Sequence, residues 1–321
     1  MKSPNKLLFI FLMISSTCMV ISSSNWLMTW MGLEINMLGF IPLMFMKDST
    51  NESEAAVKYL IPQSFGSTIF IMASIMTMHL DLLQILMPLA MCLKLGVAPL
   101  HFWFPPVMAS LHLLPATLLL TWQKLAPIFA INSFNQSLLI NIMPIAMISA
   151  MWGGIGGLNQ TDIRSLLTYS SITHSSWMLA SVLSNFFVLT IYMLCYMMIN
   201  FSIYLCLNKA STKSHKQVFS SKELSTFVAI SILILSLGGL PPLTGFIMKM
   251  TVLYFTNTNI LIIVFMIMGT LISLFYYLFL TFSTLLEFNK STLLLMKSTP
   301  SLLLTTILSQ ILPLSLILFF L

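Results

Sequence analysis

Four ionisable side chains stand inside apolar runs of this sequence: Glu34 in WMGLEINMLGF, Lys94 in MCLKLGVAP, Lys124 in TWQKLAP and Lys249 in LTGFIMKM. A charge at the centre of a bilayer costs about 2.5–3.5 kcal/mol on insertion scales, and such residues mark ion or proton pathways. Two of the lysines adjoin helix breakers. Gly96 and Pro99 follow Lys94 in GVAP, and Gly238, Gly239, Pro241 and Pro242 precede Lys249 in GGLPP. A half-helix that ends near Gly96 is expected to leave carbonyls unpaired, with the negative end of its dipole beside Lys94. That end favours an ammonium, burial favours a neutral amine, and the interruption admits water where an unbroken helix would seal. A lysine balanced between those pulls can take up and release a proton when a neighbouring charge moves.

Depth links two of the four. Glu34 lies nine residues into its apolar segment and Lys94 eleven into another of the same direction, so their depths differ by about 3 Å at 1.5 Å per residue. They can pair if the two segments touch. Moving one proton against about 150–200 mV requires about 3.5–4.6 kcal/mol, the scale of making or breaking a poorly solvated ion pair. Lys124, between Pro115 and Pro127, is placed to bridge two halves of the chain. His101, His112 and His174 are candidate relays, because imidazole titrates near neutrality; each can equally be a hydrogen-bonded packing residue. The bland reading of the four charges is a structural ion pair or snorkelling from helix ends.

Other motifs exclude chemistry. Cys18, Cys92, Cys195 and Cys206 are scattered, with no C-x-x-C spacing, which argues against a zinc site, an iron–sulfur site or a disulfide framework. No metal ligand set and no cofactor site is expected. GGIGGLNQTDIR (153–164) follows an apolar helix and lacks the phosphate-loop spacings; it reads as a tight turn between helices, with Thr161 or Asp162 capping the second. The net charge of +6 is not interleaved with exposed aromatics, so nucleic acid is not a partner.

The elements that must position these residues follow from composition. Of 321 residues, 58% are hydrophobic and 7% charged, with a mean hydropathy of +0.97, against about 25% charged in soluble domains. The expected fold is an all-α polytopic membrane protein in one antiporter-like domain (1–321). Eleven spans are read near 4–22, 25–46, 55–78, 83–104, 108–131, 137–156, 161–183, 186–208, 222–256, 259–286 and 300–320. The N-terminal apolar run is read as the first span, not as a cleaved signal. The fourth and ninth segments should be broken.

Charge placement supports this count. Lys2, Lys6, Lys47, Lys58, Arg164, Lys209, Lys213, Lys216, Lys222, Lys290 and Lys297 fall on one side, and the opposite loops carry only His79 and Asp81. Eleven of the fourteen basic residues thus obey one positive-inside orientation. Segments 1–5 (about 4–131) and 6–10 (about 137–286) each place a broken helix fourth, and a repeat of odd length must be inverted, as in ion-translocating folds; a C-terminal helix (about 300–320) follows. The repeat is topological, without residue-level identity between the halves.

Six stretches in order over residues 25–250 carry a family resemblance: W-x-G-L-E-x-N at 30–36, EAAVKYLIPQS (54–64), KLGVAPLHFWFPPV (94–107), LLTWQKLAP (119–127), GGLNQTDIRSLLTYSSITHSSWM (156–178) and LSLGGLPPLTGFIMK (235–249). They resemble subunit 2 of mitochondrial NADH–ubiquinone oxidoreductase (complex I), in the antiporter-like membrane-arm family. The final 60 or so residues match it only in hydropathy. The 26 methionines are similar to those of proteins encoded in mitochondrial DNA.

The resemblance implies a proton-translocating, multi-pass subunit of the mitochondrial inner membrane that has no redox centre. Its N-terminus would face the matrix and its C-terminus the intermembrane space. NADH, FMN, iron–sulfur clusters and ubiquinone would belong to other subunits, and the partners would be the bilayer and other membrane-arm subunits, including neighbouring antiporter-like ones. Glu34, Lys94, Lys124 and Lys249 match the family's glutamate and three lysines by motif position. Pro106 stands where the family has an acidic residue, and His112 where no histidine is expected. Two other readings stay open: a stand-alone cation/proton antiporter, and a structural spacer without its own proton path.

Overall fold

The structure, a computed structural model, describes residues 3–46, 49–76, 84–210, 224–256, 260–290, 304–311, 313 and 315. The elements among the described residues are helices: α1 (Ser3–Ser22), α2 (Trp26–Met44), α3 (Thr50–Met76), α4 (Leu86–Leu95), α5 (Phe104–Ser110), α6 (Leu113–Leu120), α7 (Trp122–Asn132), α8 (Gln136–Gly157), α9 (Ile163–Leu183), α10 (Phe186–Ala210), α11 (Leu224–Gly238), α12 (Thr244–Phe255) and α13 (Ile260–Lys290). Residues 304–311 are also helical. A chain this apolar must pair its backbone within each segment, which the helix does.

Among the described residues, six stretches are long and apolar enough to cross a membrane: Trp26–Met44, Thr50–Met76, Leu113–Asn132, Gln136–Gly157, Phe186–Asn208 and Ile260–Phe282. Large apolar side chains such as Phe65, Phe102, Ile140, Phe275 and Phe279 stand fully outward, as lipid contact requires. The protein is an all-α polytopic membrane protein. Lys2, Lys47, Lys213, Lys216, Lys222, Lys297, His79 and Asp81 lie outside the described residues, as do 300–303 and most of 312–320 of the last expected span.

The fourth and fifth segments differ from expectation. The fourth does not end near 104 but restarts there as α5, and the fifth begins at Leu113 instead of 108. Pro105 occupies the first turn of α5, where proline has no amide hydrogen bond to lose and its fixed φ suits the helix. The Pro-Pro pair therefore starts a helix where a stop was read. The fifth segment is itself divided at Thr121, whose hydroxyl donates to Thr117 O (2.6 Å), a back-bond that bends helices.

The described residues divide into two compact units, Met1–Ser149 and Ala150–Leu321. In the first, α1 packs on α2, α3 on α2, α4 and α5, and α7 on α1, α2, α4 and α6. Small residues allow the close approaches: a Cβ at Gly32 would lie 2.6 Å from a Val20 methyl. In the second unit, α10 packs on α9, α11 and α12, and α13 on α9 and α11.

Helix α9 is sheathed almost completely, with Ser165, Thr168, Ser170, Ser171, Thr173, Ser175 and Ser176 all buried. Their hydroxyls each donate to a carbonyl three residues back, which satisfies them without water. The glycines of GGIGG serve packing: a Cβ at Gly153 would lie 2.8 Å from Tyr169 O, and one at Gly154 2.8 Å from Gly269 O. Asp162 takes the N-cap position of α9, but neither it nor Thr161 supplies the expected cap, since no side-chain cap bond forms; its backbone carbonyl accepts from Leu166 N–H (3.0 Å).

Candidate functional site

The first break follows Lys94. Gly96 adopts the left-handed conformation (φ 69°, ψ 39°), which glycine enters without a Cβ clash. Its N–H donates to Leu93 O and that of Val97 to Cys92 O, both at 3.1 Å, the two bonds of a Schellman cap. The Trp103 indole N–H adds a bond to Leu93 O (3.1 Å), and the Gln63 amide on α3 donates to Lys94 O (3.0 Å). After a cis Ala98–Pro99 peptide the chain restarts as α5. The expectation of unpaired carbonyls beside Lys94 is therefore corrected: backbone, indole and amide donors take the Cys92, Leu93 and Lys94 carbonyls. The Lys94 ammonium, 5% exposed, has no hydrogen-bond partner among the described residues.

Half-buried Glu34 is a charge whose field reaches Lys94, but the two form no direct ion pair. Helix α3 packs against both α2 and α4. Where α3 passes Lys94 it carries Gly66, at which a Cβ would lie 3.0 Å from Lys94 Cγ.

Lys124 on α7 is 2% exposed. Its Nζ lies 5.8 Å from the centroid of the Phe104 ring, a cation–π arrangement, and Phe104 opens α5. Next to Lys124, Gln123 cross-links three helices. Its amide donates to Asn36 Oδ1 on α2 (3.2 Å), and its carbonyl accepts from Tyr59 OH on α3 (3.1 Å).

The second break repeats the first in backbone detail. Gly239 has φ 87°; its N–H donates to Leu235 O and Ser236 O (3.1 Å each), and Leu240 N–H to Leu235 O (3.4 Å). A cis Pro241–Pro242 peptide follows. Both breaks are thus G-x-x-P with a left-handed glycine and a cis proline three residues on. The halves share a glycine and a proline at their breaks. In this register Lys94 corresponds to Leu237, and Lys249 to Pro106.

Lys249 folds back from α12, and its ammonium donates to Gly238 O (2.9 Å) and Leu237 O (3.3 Å). The lysine-on-carbonyl arrangement expected at Gly96 is found here instead. The approach is tight, since a Cβ at Gly245 would fall 1.5 Å from Ser236 O. The start of α12 is held by Gln310, whose carbonyl accepts from Thr244 N–H (3.2 Å) and Thr244 OH (2.9 Å).

The histidines separate by role. His101 lies in the first break, stacked on Phe102 (4.7 Å between centroids) and hydrogen-bonded to the Pro99 backbone. His174 on α9 places Nδ1 2.8 Å from Tyr192 OH on α10 and its ring 5.1 Å from that of Tyr196. His112 precedes α6 at the N-cap position but makes no side-chain cap bond. Its Nε2 lies 3.0 Å from Glu52 Oε1. Of the residues singled out in the sequence, Glu34, Lys94, Lys124, His101 and His112 lie in the first unit; Lys249 and His174 lie in the second.

Glu52 escaped the sequence reading. In the first turn of α3 it is 1% exposed, and its other oxygen accepts from Met46 N–H (3.0 Å). The available signal was Ser49-x-x-Glu52, the spacing of a capping box. Among the described residues, no group of three His, Cys, Asp or Glu side chains is placed to hold a metal ion.

Comparison with known proteins places the chain. Its sequence matches the family described as NADH:quinone oxidoreductase/Mrp antiporter, transmembrane, over residues 23–81 and 77–275. NADH-ubiquinone oxidoreductase chain 2 of Anopheles gambiae is 39% identical over 307 residues, 91% of this chain and 89% of that protein. The chain 2 protein of Lumbricus terrestris is 37% identical over 299 residues, 88% of each. The fold is similar to that of a chain of respiratory complex I from Thermus thermophilus (TM-score 0.83, 20% identity, 98% of this chain and 79% of that one). It is also similar to a chain of the Mrp complex from Dietzia (TM-score 0.71, 15% identity, 87% and 59%). From this fold and these relatives, the chain belongs to the NADH:quinone oxidoreductase/Mrp antiporter transmembrane family, and within it to the NADH-ubiquinone oxidoreductase chain 2 proteins.

Proposed function

We propose that this chain is a proton-translocating core subunit in the membrane arm of a respiratory NADH:ubiquinone oxidoreductase. It couples quinone reduction elsewhere in the complex to proton movement through Glu34, Lys94, Lys124 and Lys249, and performs no redox chemistry itself. NADH, FMN, iron–sulfur clusters and ubiquinone are held by other subunits, and its partners are neighbouring membrane-arm subunits. It spans the mitochondrial inner membrane eleven times as two inverted five-helix repeats (about 4–131 and 137–286) and a final helix (about 300–320), with the positively charged side and the N-terminus toward the matrix.

One observation carries the reading: a buried lysine, Lys94, whose ammonium has no hydrogen-bond partner among the described residues, stands at a broken helix whose Cys92, Leu93 and Lys94 carbonyls are already taken. A purely structural lysine would be paired, because an uncompensated buried charge is strongly destabilising. An unpaired one costs little only while it is neutral. It is therefore a site that fills with a proton when the field around it changes, and Glu34 supplies such a field. Lys124 over Phe104 and Lys249 on the Leu237 and Gly238 carbonyls extend the series at the other end of each break's reach.

The test is Lys94→Met in the assembled complex, in sealed vesicles, with NADH oxidation and proton uptake measured together. The expected result is a fall in protons moved per NADH oxidised. Unchanged coupling would leave the spacer reading, and coupled cation/proton exchange by the isolated chain would establish the antiporter reading.

A further inference from the structure

Glu52 and His112 are not among the four residues above, and their geometry is unlike that of a packing pair. The Glu52 side chain is 1% exposed and that of His112 31%, so the pair has a buried carboxylate inside and a part-exposed imidazole outside. Three chain segments of the first unit meet there: the α2–α3 connection through Met46, the start of α3, and the start of α6. Lys6 near the start of α1 reaches the same place, with Nζ 3.6 Å from Met46 Sδ. In the charge pattern these are all ends on the positive side.

The inner side of the pair leads somewhere. Glu52, Tyr59, Gln63 and Ser67 are buried along one face of α3, with Tyr59 and Gln63 about 10 Å and about 16 Å farther in at 1.5 Å per residue. Tyr59 bonds Gln123, the neighbour of Lys124, and Gln63 bonds the backbone of Lys94. One helix face thus runs from the pair to the backbone of Lys94 and to the neighbour of Lys124.

We infer that Glu52 and His112 form a proton-loading site on the positively charged side, which collects protons from water and passes them inward along α3 toward Lys124 and Lys94. This rests on the proton-translocation reading. The imidazole takes a proton from hydronium at Nδ1, releasing water, while its Nε2 proton passes to Glu52 Oε1. The pair is left as Nδ1–H imidazole and carboxylic acid; the acid gives its proton to a water molecule entering from the inner side, which becomes hydronium, and the imidazole regains its Nε2–H tautomer by exchanging protons with outside water. The other charged groups on the elements packed around α3 and α6 are Lys6 on α1, whose Nζ reaches Met46 Sδ, Glu34 on α2, Lys94 on α4 and Lys124 on α7. Glu54 and Lys58 pair with each other on the outer face of α3, and α5 and α6 carry no ionisable side chain. Lys47 and Asp48 lie outside the described residues.

The test uses Glu52→Gln, which keeps an acceptor for Met46 N–H but holds no proton, and His112→Ala with and without added imidazole. Both are made in the assembled complex and compared with Lys94→Met. The readout is proton translocation per assembled complex from pH 6 to 8. With the loading site the rate varies little over that range. Without it the rate should follow hydronium, falling about tenfold per pH unit, and imidazole should restore it in His112→Ala. A wild-type pH profile in both variants, with Lys94→Met uncoupled, would overturn the loading site and leave the translocation reading standing. Fewer assembled complexes with normal turnover per complex at every pH would make the pair a helix clasp and overturn it too. If Lys94→Met itself couples normally, both readings fall.

Discussion

The two breaks have the same backbone and opposite lysines. Each ends a helix in a Schellman cap on a left-handed glycine and turns through a cis proline three residues later. In the first, the lysine sits two residues before the glycine, and other donors take the carbonyls. In the second, the lysine sits ten residues after it and becomes the donor itself. The backbone motif thus sets where a helix can be opened, and the lysine's side of the opening decides whether it can reach the freed carbonyls. Lys249 is itself a cap. Lys94 stands beside a helix end that is capped without it.

This contrast can be broken most forcefully at Gly245. A methyl there would meet Ser236 O at 1.5 Å, and two backbones cannot separate cheaply. Gly245→Ala should cost more than about 3 kcal/mol and leave little assembled protein on native gels. In the shared register the same place in the first break is Phe102, 74% exposed, and Phe102→Ala should assemble normally.

Next in size is the lysine pair. Lys249→Met strips two carbonyls of a donor and should destabilise by about 1–3 kcal/mol, read as a lower thermal inactivation midpoint. Lys94→Met removes an ammonium that has no hydrogen-bond partner among the described residues and should leave that midpoint unchanged or raise it. Both should uncouple proton movement. Equal destabilisation by the two would erase the distinction.

Smaller effects are expected at the glycines. Gly96→Ala and Gly239→Ala each force a left-handed alanine, worth about 1–2 kcal/mol. The second should cost more, because its Cβ would lie 2.9 Å from Lys249 Nζ while the nearest atom at Gly96 is 3.3 Å away. Protease sensitivity of the two variants would rank them. Smallest is Gln310→Ala, which uncaps Thr244 and should cost about 1 kcal/mol, measurable as faster exchange of the first amides of α12.

Much of this was legible in the residues because charge in oil is conspicuous. Lys94, Lys124 and Lys249 stand out against apolar neighbours, Gly-Pro runs announce both breaks, and the family resemblance read from six stretches is borne out by relatives 36–39% identical. What the sequence hid depends on partners from elsewhere in the chain. Nothing near Lys94 says that Gln63, thirty-one residues earlier, takes its carbonyl. Glu52 among Asp48, Asn51 and Glu54 looks like a solvated loop acid, and its burial against Met46 N–H and His112 appears only in the folded chain. Pro105-Pro106 reads as a stop because the same residues serve helix starts, and only the preceding turn decides between them.

Gln310 sets a schedule for the molecule's making. It lies 66 residues after Thr244, so the ribosome delivers α12 well before it delivers the side chain that holds the start of α12. The second opening must wait unlatched in the bilayer until the tail arrives. A nascent chain stalled before residue 310 should therefore carry a complete first break and a loose second one.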